Sequence, residues 1–357
     1  MLWPLLVLIL LTLGFNYLAL FYGFKNLTYR MEIGSETYEI GENIEITSVV
    51  ENRKPLTVSH LIITEYLPQG LGKVRNEHTM FVMPWQRVRR THSIPAQQRG
   101  LYAIQDVHLE LGDFIGFSMD FLSLPVDRQF TVLPKKVDLT QSIIPLGSPQ
   151  GDVSVRRWIM DDPLLPVGIR DYTGNEPQRF IHWPSSARHG RLMVKQFDYT
   201  TDNSVLILLN MEIAKPLWKS VDEGIIEKAV SLARAVMEEF ESLQIPYAFA
   251  SNAYDEFSDT KGNYFPTGLG QHHLDTLLRI LGGISSRIPQ FFEITLRNLA
   301  HSQDNHPTVV VITPKVLETY ITPLNLLDRS VNRTVVLSVE EENLDALNSS
   351  IRVYRSR

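Results

Sequence analysis

Cysteine is absent from all 357 residues of the chain. Its absence excludes disulfide frameworks, thiolate metal sites and a cysteine nucleophile. A basic surplus is also missing, because 34 lysines and arginines are set against 40 aspartates and glutamates, and the formal net charge is −6. Domains that bind nucleic acid through its phosphates ordinarily carry such a surplus. The composition therefore argues against a nucleic-acid partner.

The glycine-rich signatures of common nucleotide-binding and hydrolytic folds are missing as well. An apolar, strand-like run at 204–210 is followed by 211–215 without a glycine, whereas a dinucleotide-binding turn needs glycines directly after its first strand. The chain contains neither a phosphate-binding P-loop nor a Gly-x-Ser-x-Gly nucleophile elbow. We therefore predict a protein without a cofactor and without catalytic sites of these kinds.

Charged side chains are absent from residues 1–24, which are mostly apolar. At about 1.5 Å per residue, a helix of this length spans roughly 36 Å, enough for a tilted membrane span. A cleaved signal peptide is disfavoured, because no basic residue precedes the run and the run is longer than about 15 residues. Lys25 and Arg30 follow it. The positive-inside rule then predicts a single-pass protein of the cytoplasmic (inner) membrane, with its globular part in the cytoplasm.

Residues 27–134 show the two-residue alternation of half-buried strands, interrupted by turn residues. In the stretch ENIEITSVVEN, this alternation places on one face Ile44, Ile46, Ser48 and Val50. Several such strands separated by turns are typical of a β-sandwich. Modules of this kind serve more often as spacers or binding surfaces than as catalytic sites.

The C-terminal part alternates buried strand-like runs with amphipathic helical stretches, which indicates crossover units and a mainly parallel sheet. The predicted fold class is therefore α+β and multidomain. Its parts are an N-terminal transmembrane helix (1–24), a β-sandwich-like module (27–134), a connecting segment (135–200) and a C-terminal, Rossmann-like α/β domain (201–357).

A distinctive stretch at 170–198 reads RDYTGNEPQRFIHWPSSARHGRLMVKQFD. It resembles the signature of the bacterial family called domain of unknown function 58, and residues 99–117 resemble the family's Arg-Gly-x-Tyr and Asp-Pro-Phe-Gly elements. Asn175 and Glu176 stand where the family has Gly and Asp, and the upstream proline is missing, so the local turns differ. The residues that we identify with the central motif are Arg170, Tyr172, Arg179, Ile181, Trp183, Arg188, Gly190 and Lys195.

The resemblance implies that the C-terminal domain is similar to a von Willebrand factor type A fold. It also implies a partner among the MoxR-type AAA+ ATPases and a role in assembling or maturing other proteins. We therefore predict a membrane-anchored, non-catalytic scaffold or adaptor whose protein clients are unknown.

A von Willebrand type A fold holds its metal with an Asp-x-Ser-x-Ser motif, because a hard divalent cation prefers oxygen ligands. The corresponding positions here are Asn210, Glu212 and Ala214, so both hydroxyls are lost. Thr267 is a candidate loop ligand, and Thr313 stands where a later aspartate is expected. We predict a degenerate site without a metal.

The central motif combines basic and aromatic side chains, which favours a docking surface for an acidic partner. An equally open alternative is an internal network in which these arginines pair with local carboxylates and hold the two domains together, with Trp183 packed inside. Two further alternatives remain. One is a membrane-associated enzyme that uses Glu212 or Asp171 as an acid or base, and the other is a metal-dependent, adhesion-like receptor of the opposite topology.

Overall fold

The computed structural model of the chain describes residues 2–72, 75–112, 119–137, 166–172, 181–197, 204–215, 222–255, 260–285, 287–301, 308–331 and 333–355. The helices in these ranges are α1 (Leu2–Phe21), α2 (Trp183–His189), α3 (Glu223–Ser242), α4 (Gln271–Gly283), α5 (Phe292–His301) and α6 (Glu318–Ser330). A short 3-10 helix covers Leu344–Ala346.

The strands of the N-terminal part are β1 (Leu27–Ile33), β2 (Thr37–Tyr38), β3 (Asn43–Asn52), β4 (Val58–Tyr66), β5 (Arg75–Val82), β6 (Arg87–Pro95), β7 (Gly100–Gly112) and β8 (Met119–Val132). The later strands are β9 (Pro166–Asp171), β10 (Met193–Phe197), β11 (Val205–Leu209), β12 (Tyr247–Asp255), β13 (Thr260–Gly268), β14 (Ile284–Ser285), β15 (Thr308–Thr313), β16 (Arg333–Ser338) and β17 (Arg352–Arg355). The chain divides into a first unit (1–135, 256–258 and 278–285) and a second unit (136–255, 259–277 and 286–357).

The first unit contains two sheets, with the strand orders β1-β3-β6 and β2-β8-β7-β4-β5. Strand β3 pairs antiparallel with both β1 and β6, and β4 pairs antiparallel with β5 and β7. Ile44, Ile46, Ser48 and Val50 are buried, as the alternation predicts. Apolar side chains of both sheets, including Ile46 on β3 and Leu61 on β4, form a shared core, so the interior lies between the sheets as in other two-layer β-structures.

The second unit contains a larger sheet with the order β13-β12-β11-β15-β16-β17. Strands β12, β11, β15, β16 and β17 are parallel, and β13 joins the edge antiparallel to β12. Every residue of β11 and of β15 is buried, which is typical of parallel strands covered on both faces. Helix α3 buries an apolar stripe that includes Ile226, Ala229 and Met237. A separate two-stranded sheet pairs β9 with β10.

The predicted α+β fold class with a transmembrane helix is wrong. The described residues form a mixed α/β protein with several sheets, in which parallel crossover strands and an antiparallel edge strand share one sheet. The hydrophobic patterns of single segments do not reveal such mixing, because strand order and direction depend on contacts between distant parts of the chain.

Among the residues that the structure describes, no helix combines the length and the apolar character needed to cross a lipid bilayer. This finding contradicts the predicted span at residues 1–24 and the predicted location as a single-pass protein of the cytoplasmic membrane. In α1, the apolar residues are interrupted by Thr12, Gly14 and Asn16. The Thr12 hydroxyl donates to the carbonyl oxygen of Ile9 at 2.9 Å, and Asn16 is 8% exposed.

Candidate functional site

The described part of the central motif contains the antiparallel pair of β9 and β10, with α2 packed beside it. Arg170 lies opposite Val194, and Lys195 lies opposite Ile169, in the antiparallel register. The Tyr172 amide donates to the Leu192 carbonyl oxygen at 2.9 Å. Arg179 lies outside the described residues. For Arg170, Asp171 and Lys195, the backbone alone is described.

Helix α2 is held by the polar residues of the motif. The His182 ring accepts a hydrogen bond from the Ser185 amide at 3.2 Å, which caps the helix N-terminus. The Ser186 hydroxyl accepts from the Met193 amide at 2.8 Å and thereby joins α2 to β10. Gly190 ends the helix with φ +66, a left-handed conformation that glycine adopts without strain. These side chains therefore have structural roles.

The same helix presents an aromatic side chain to solvent. Trp183, at its first position, is 64% exposed, whereas Ile181 two residues earlier is 7% exposed and buried. Arg188 and Arg191 are exposed, and so is Leu192. We call Trp183, Arg188 and Arg191 the α2 surface. No aspartate or glutamate occurs at residues 177–197, so this surface lies in a positively charged stretch.

The predicted degenerate metal site lies at the carboxyl end of the parallel strands. Asn210 follows β11, and its amide nitrogen donates to the Thr313 hydroxyl at 2.9 Å. The side-chain oxygen of Asn210, Oδ1, accepts from the Glu212 amide at 2.9 Å and from the Asn252 side-chain nitrogen at 3.0 Å. Ala214 is half-buried nearby in the chain. The polar atoms of Asn210 are thus engaged within the protein and not directed at a ligand.

Thr267 lies away from this group. Its neighbour Gly268 pairs with Tyr247 at the start of β12, and Tyr247 in turn pairs with Val205 at the start of β11. Asn210 follows the opposite end of β11. Because the sheet register separates these two ends, the structure does not bring Thr267 to the cluster of Asn210 and Glu212.

A lysine supplies the positive charge beside Glu212. The Lys215 Nζ atom lies 2.8 Å from Glu293 Oε2 and 4.0 Å from Glu212 Oε1. Glu212 is fully buried, and its Oε2 atom accepts from the Phe292 amide at the start of α5, at 3.0 Å. Burial, and then the charge of Glu212, raises the pKa of Tyr320 well above its ordinary value, so the phenol stays protonated.

This arrangement has two chemical consequences. A divalent cation next to Glu212 would be repelled by the Lys215 ammonium, and in the described ranges no group of three or more histidine, aspartate or glutamate side chains is arranged to hold a metal ion. Glu212 also has no exposed surface, so it does not contact a substrate in this conformation. The sequence motif points to Glu212 but gives no sign of Lys215, because the contact of Lys215 with Glu293 joins residues far apart in the chain.

A second buried carboxylate lies in the first unit and was missed from sequence. Glu65 on β4 is fully buried and accepts hydrogen bonds from Tyr29 at 3.1 Å, from Asn76 at 2.9 Å and from Ser48. His92 Nε2 lies 3.3 Å from Glu65 Oε2, the oxygen that accepts from Asn76. Donors from β1, β3 and β5 and a ring nitrogen from β6 thus converge on one carboxyl group, as expected for a buried polar group.

His78 on β5 lies close to this network, and its burial leads us to expect that the stability of the first unit depends on pH. Burial lowers its pKa below the ordinary value of 6.5; the charge of Glu65 opposes this effect, and Arg90 and His92 reinforce it. The unfolded chain therefore binds a proton near pH 6.5 that the folded chain does not bind. We expect the contribution of a neutral His78 to stability to be complete above this pH and to be lost as the pH falls towards the lowered pKa.

Urea denaturation of the first unit between about pH 7.5 and about pH 5.5 measures this effect. A His78→Gln variant should lose part of the pH dependence, because glutamine does not titrate. His60, an exposed histidine of the same unit, provides the control, and His60→Gln should keep the wild-type profile. Identical profiles for wild type and His78→Gln would contradict the prediction.

Comparison with known proteins gives limited information. No protein-family model matches the chain. The chain is 18% identical over 246 residues to the uncharacterized protein YeaD of Bacillus subtilis (strain 168), a match that covers 68% of this chain and 58% of YeaD. The chain therefore matches less than two thirds of the length of this relative.

Solved structures give only weak similarities. The CARDB domain of the PF1109 protein from Pyrococcus furiosus, in complex with di-metal ions, is 14% identical; the similarity covers 28% of this chain and 86% of that chain, with a TM-score of 0.20. The β-glucosidase EmGH1 from Erythrobacter marinus is 7% identical over 30% of this chain and 15% of that chain, with a TM-score of 0.22. At these TM-scores the similarities carry no argument about fold or function.

Proposed function

We propose that this protein is a non-catalytic adaptor that binds an acidic segment of a protein partner through the α2 surface. The observation that carries the proposal is the exposure of Trp183, at 64%. Tryptophan and arginine are enriched among the residues that contribute most to binding at protein interfaces. Since covering a large apolar ring that is exposed to water lowers the free energy, an exposed tryptophan in a stretch that also carries exposed arginines favours a binding role.

Charge supports the choice of an acidic occupant. Residues 177–197 contain three arginines and one lysine, and no acidic residue. Complementary charges increase the rate of association and select against partners of the same sign. The alternative of an internal network places Trp183 in a packed interior, which its exposure does not favour. Enzymatic use of Glu212 is likewise disfavoured by the burial of its carboxylate.

The partner that we propose is an AAA+ ATPase of the MoxR type, which the resemblance of the central motif implies. In this proposal the ATPase supplies mechanical work on client proteins, and the present chain supplies the docking surface. Membership of the domain of unknown function 58 family is part of the same proposal, and it rests on the motif at 170–198.

Affinity purification of the full-length chain from its native source tests the proposal. The wild type should recover the ATPase, and Trp183→Ala should reduce recovery by at least about tenfold, as expected when an interface anchor is truncated. Trp85→Ala is the matched control, because Trp85 is a similarly exposed tryptophan (70%) in the first unit. Recovery that stays unchanged in Trp183→Ala, or that falls equally in both variants, would overturn the role of the α2 surface.

A further inference from the structure

A small basic pocket lies on the outer face of the sheet β1-β3-β6 in the first unit. It has a volume of about 120 Å³ and is lined by Thr28, Arg30, Val49, Glu51, Arg53 and Arg87. Three arginines and one carboxylate give it a net charge of +2. The pocket shares no residue with the α2 surface, and neither the sequence motifs nor the proposed adaptor function accounts for it.

Strand register explains why these side chains converge. Arg30 lies opposite Val49, and Glu51 lies between Thr28 on one side and Arg87 on the other. Residues that lie opposite each other on neighbouring strands point to the same face of a sheet. Val49 is 3% exposed although it lies on the outer face, which is explained if the apolar stems of the arginines cover it. The guanidinium groups are thereby left at the rim of the pocket.

In the part of the chain that the structure describes, one of the three arginines of the pocket is paired with a carboxylate and the other two are not. Arg53 Nη2 forms an ion pair with Glu51 at 2.9 Å. Among the described residues, neither Arg30 nor Arg87 has a carboxylate oxygen within 4.0 Å. The hydrogen bond from Arg53, and then the charges of Arg53, Arg87 and Arg30, lower the pKa of Glu51 below its ordinary value. A single carboxylate thus experiences the field of three cations.

We propose that this pocket binds a doubly charged phosphate group. Guanidinium forks match the oxygens of a phosphate and donate two hydrogen bonds each. A dianion neutralises the net charge of +2, whereas a single carboxylate leaves part of it uncompensated. The small volume fits one tetrahedral group and not an extended ligand. The phosphate belongs either to a free small molecule or to a phosphorylated protein segment, which share this chemistry.

Calorimetric titration of the full chain with inorganic phosphate and with a phosphoserine peptide tests the proposal, at constant ionic strength. Both probes, or one of them, should bind, and acetate should bind at least about tenfold more weakly because it carries one charge. Tighter binding of the peptide identifies a phosphorylated segment as the source, and tighter binding of inorganic phosphate identifies a free ligand. If neither probe binds at millimolar concentration, the proposal is wrong.

Substitutions of the pocket residues test whether phosphate binds in this pocket. Arg30→Gln and Arg87→Gln should each weaken phosphate binding about tenfold. Glu51→Gln should strengthen it several-fold, because it removes the one negative charge and releases Arg53. Arg75→Gln, in an exposed ion pair with Glu77 elsewhere in the unit, should have no effect. Weaker binding in Glu51→Gln, or equal binding in all variants, would show that the pocket is not the site. Neither result changes what is expected from the purification of the ATPase, which tests the α2 surface.

Discussion

Replacement of Glu65 by alanine is expected to lower the free energy of unfolding of the first unit by about 3–5 kcal/mol, because three buried donors lose their acceptor at once. The carboxylate accepts from Tyr29, Ser48 and Asn76 and lies 3.3 Å from His92 Nε2. Alanine leaves these donors without their acceptor in a site that water does not reach. Each buried donor that loses its partner costs about 1–3 kcal/mol.

The loss should be confined to the unit that contains Glu65. Amide hydrogen exchange of Val50 in β3 and of Ile63 in β4, one in each sheet of the first unit, should become much faster, and exchange of Val310 in β15 of the second unit should not change. Glu65→Gln should have a smaller effect, because its amide retains one acceptor oxygen. Urea denaturation gives the corresponding change in free energy.

Glu77→Ala provides the control for this prediction. Glu77 lies opposite Thr64 in the β4–β5 pairing, but its side chain is 47% exposed and its ion pair with Arg75 is on the surface. Exposed pairs of this kind contribute about 0–1 kcal/mol. If Glu65→Ala and Glu77→Ala destabilise the unit equally, the buried network does not stabilise the contact between the strands, and the interpretation fails.

Local hydrophobic patterns predicted much of the secondary structure. The alternation in β3 identified its inward face, and the unbroken apolar runs of β11 and β15 correspond to strands buried on both faces. Such patterns are short-range and depend on the side-chain period alone. A signal for Glu65 was also present, because it follows Leu61 and Ile63 on the inward face of β4. An acidic residue at an inward position indicates a buried polar network.

Features that depend on pairing between strands far apart in the chain could not be predicted from local hydrophobic patterns. The mixed sheet of the second unit and the opposite placement of Thr267 and Asn210 follow from strand register, which no single segment encodes. The apolar composition of α1 predicted a membrane span that the described residues contradict. Exposure of Trp183 was also undetermined, since the motif fits both a packed and an exposed tryptophan.

The ion pair between Lys215 and Glu293 is the basis of a second prediction, a large loss of stability when Lys215 is replaced. Lys215→Met removes the cation that lies between Glu293, at 2.8 Å, and the buried Glu212, at 4.0 Å. Two carboxylates then remain close together without compensation. The Lys215 side chain is 25% exposed, so water offsets part of the loss. We expect the second unit to lose about 2–3 kcal/mol, less than for a fully buried pair.

Lys315→Met separates this effect from the general loss of a lysine. Lys315 is buried to a similar degree, with 19% of its side chain exposed, but its partner at 3.4 Å, Glu342, is 58% exposed. Water can solvate that carboxylate when the lysine is removed, so Lys315→Met should cost about 0–1 kcal/mol. Equal losses in the two variants would show that Glu212 does not depend on Lys215.

A double variant tests the charge argument directly. Glu212→Gln removes the buried negative charge and keeps an oxygen that accepts from the Phe292 amide, 3.0 Å from Glu212 Oε2. In the Lys215→Met background, it should therefore recover at least about 1 kcal/mol, although the same change destabilises the wild type. Opposite signs in the two backgrounds define a coupling between the two side chains. If Glu212→Gln destabilises both backgrounds equally, Lys215 does not act through the charge of Glu212, and its other contacts, such as that of its ammonium with the Phe291 ring, account for its effect.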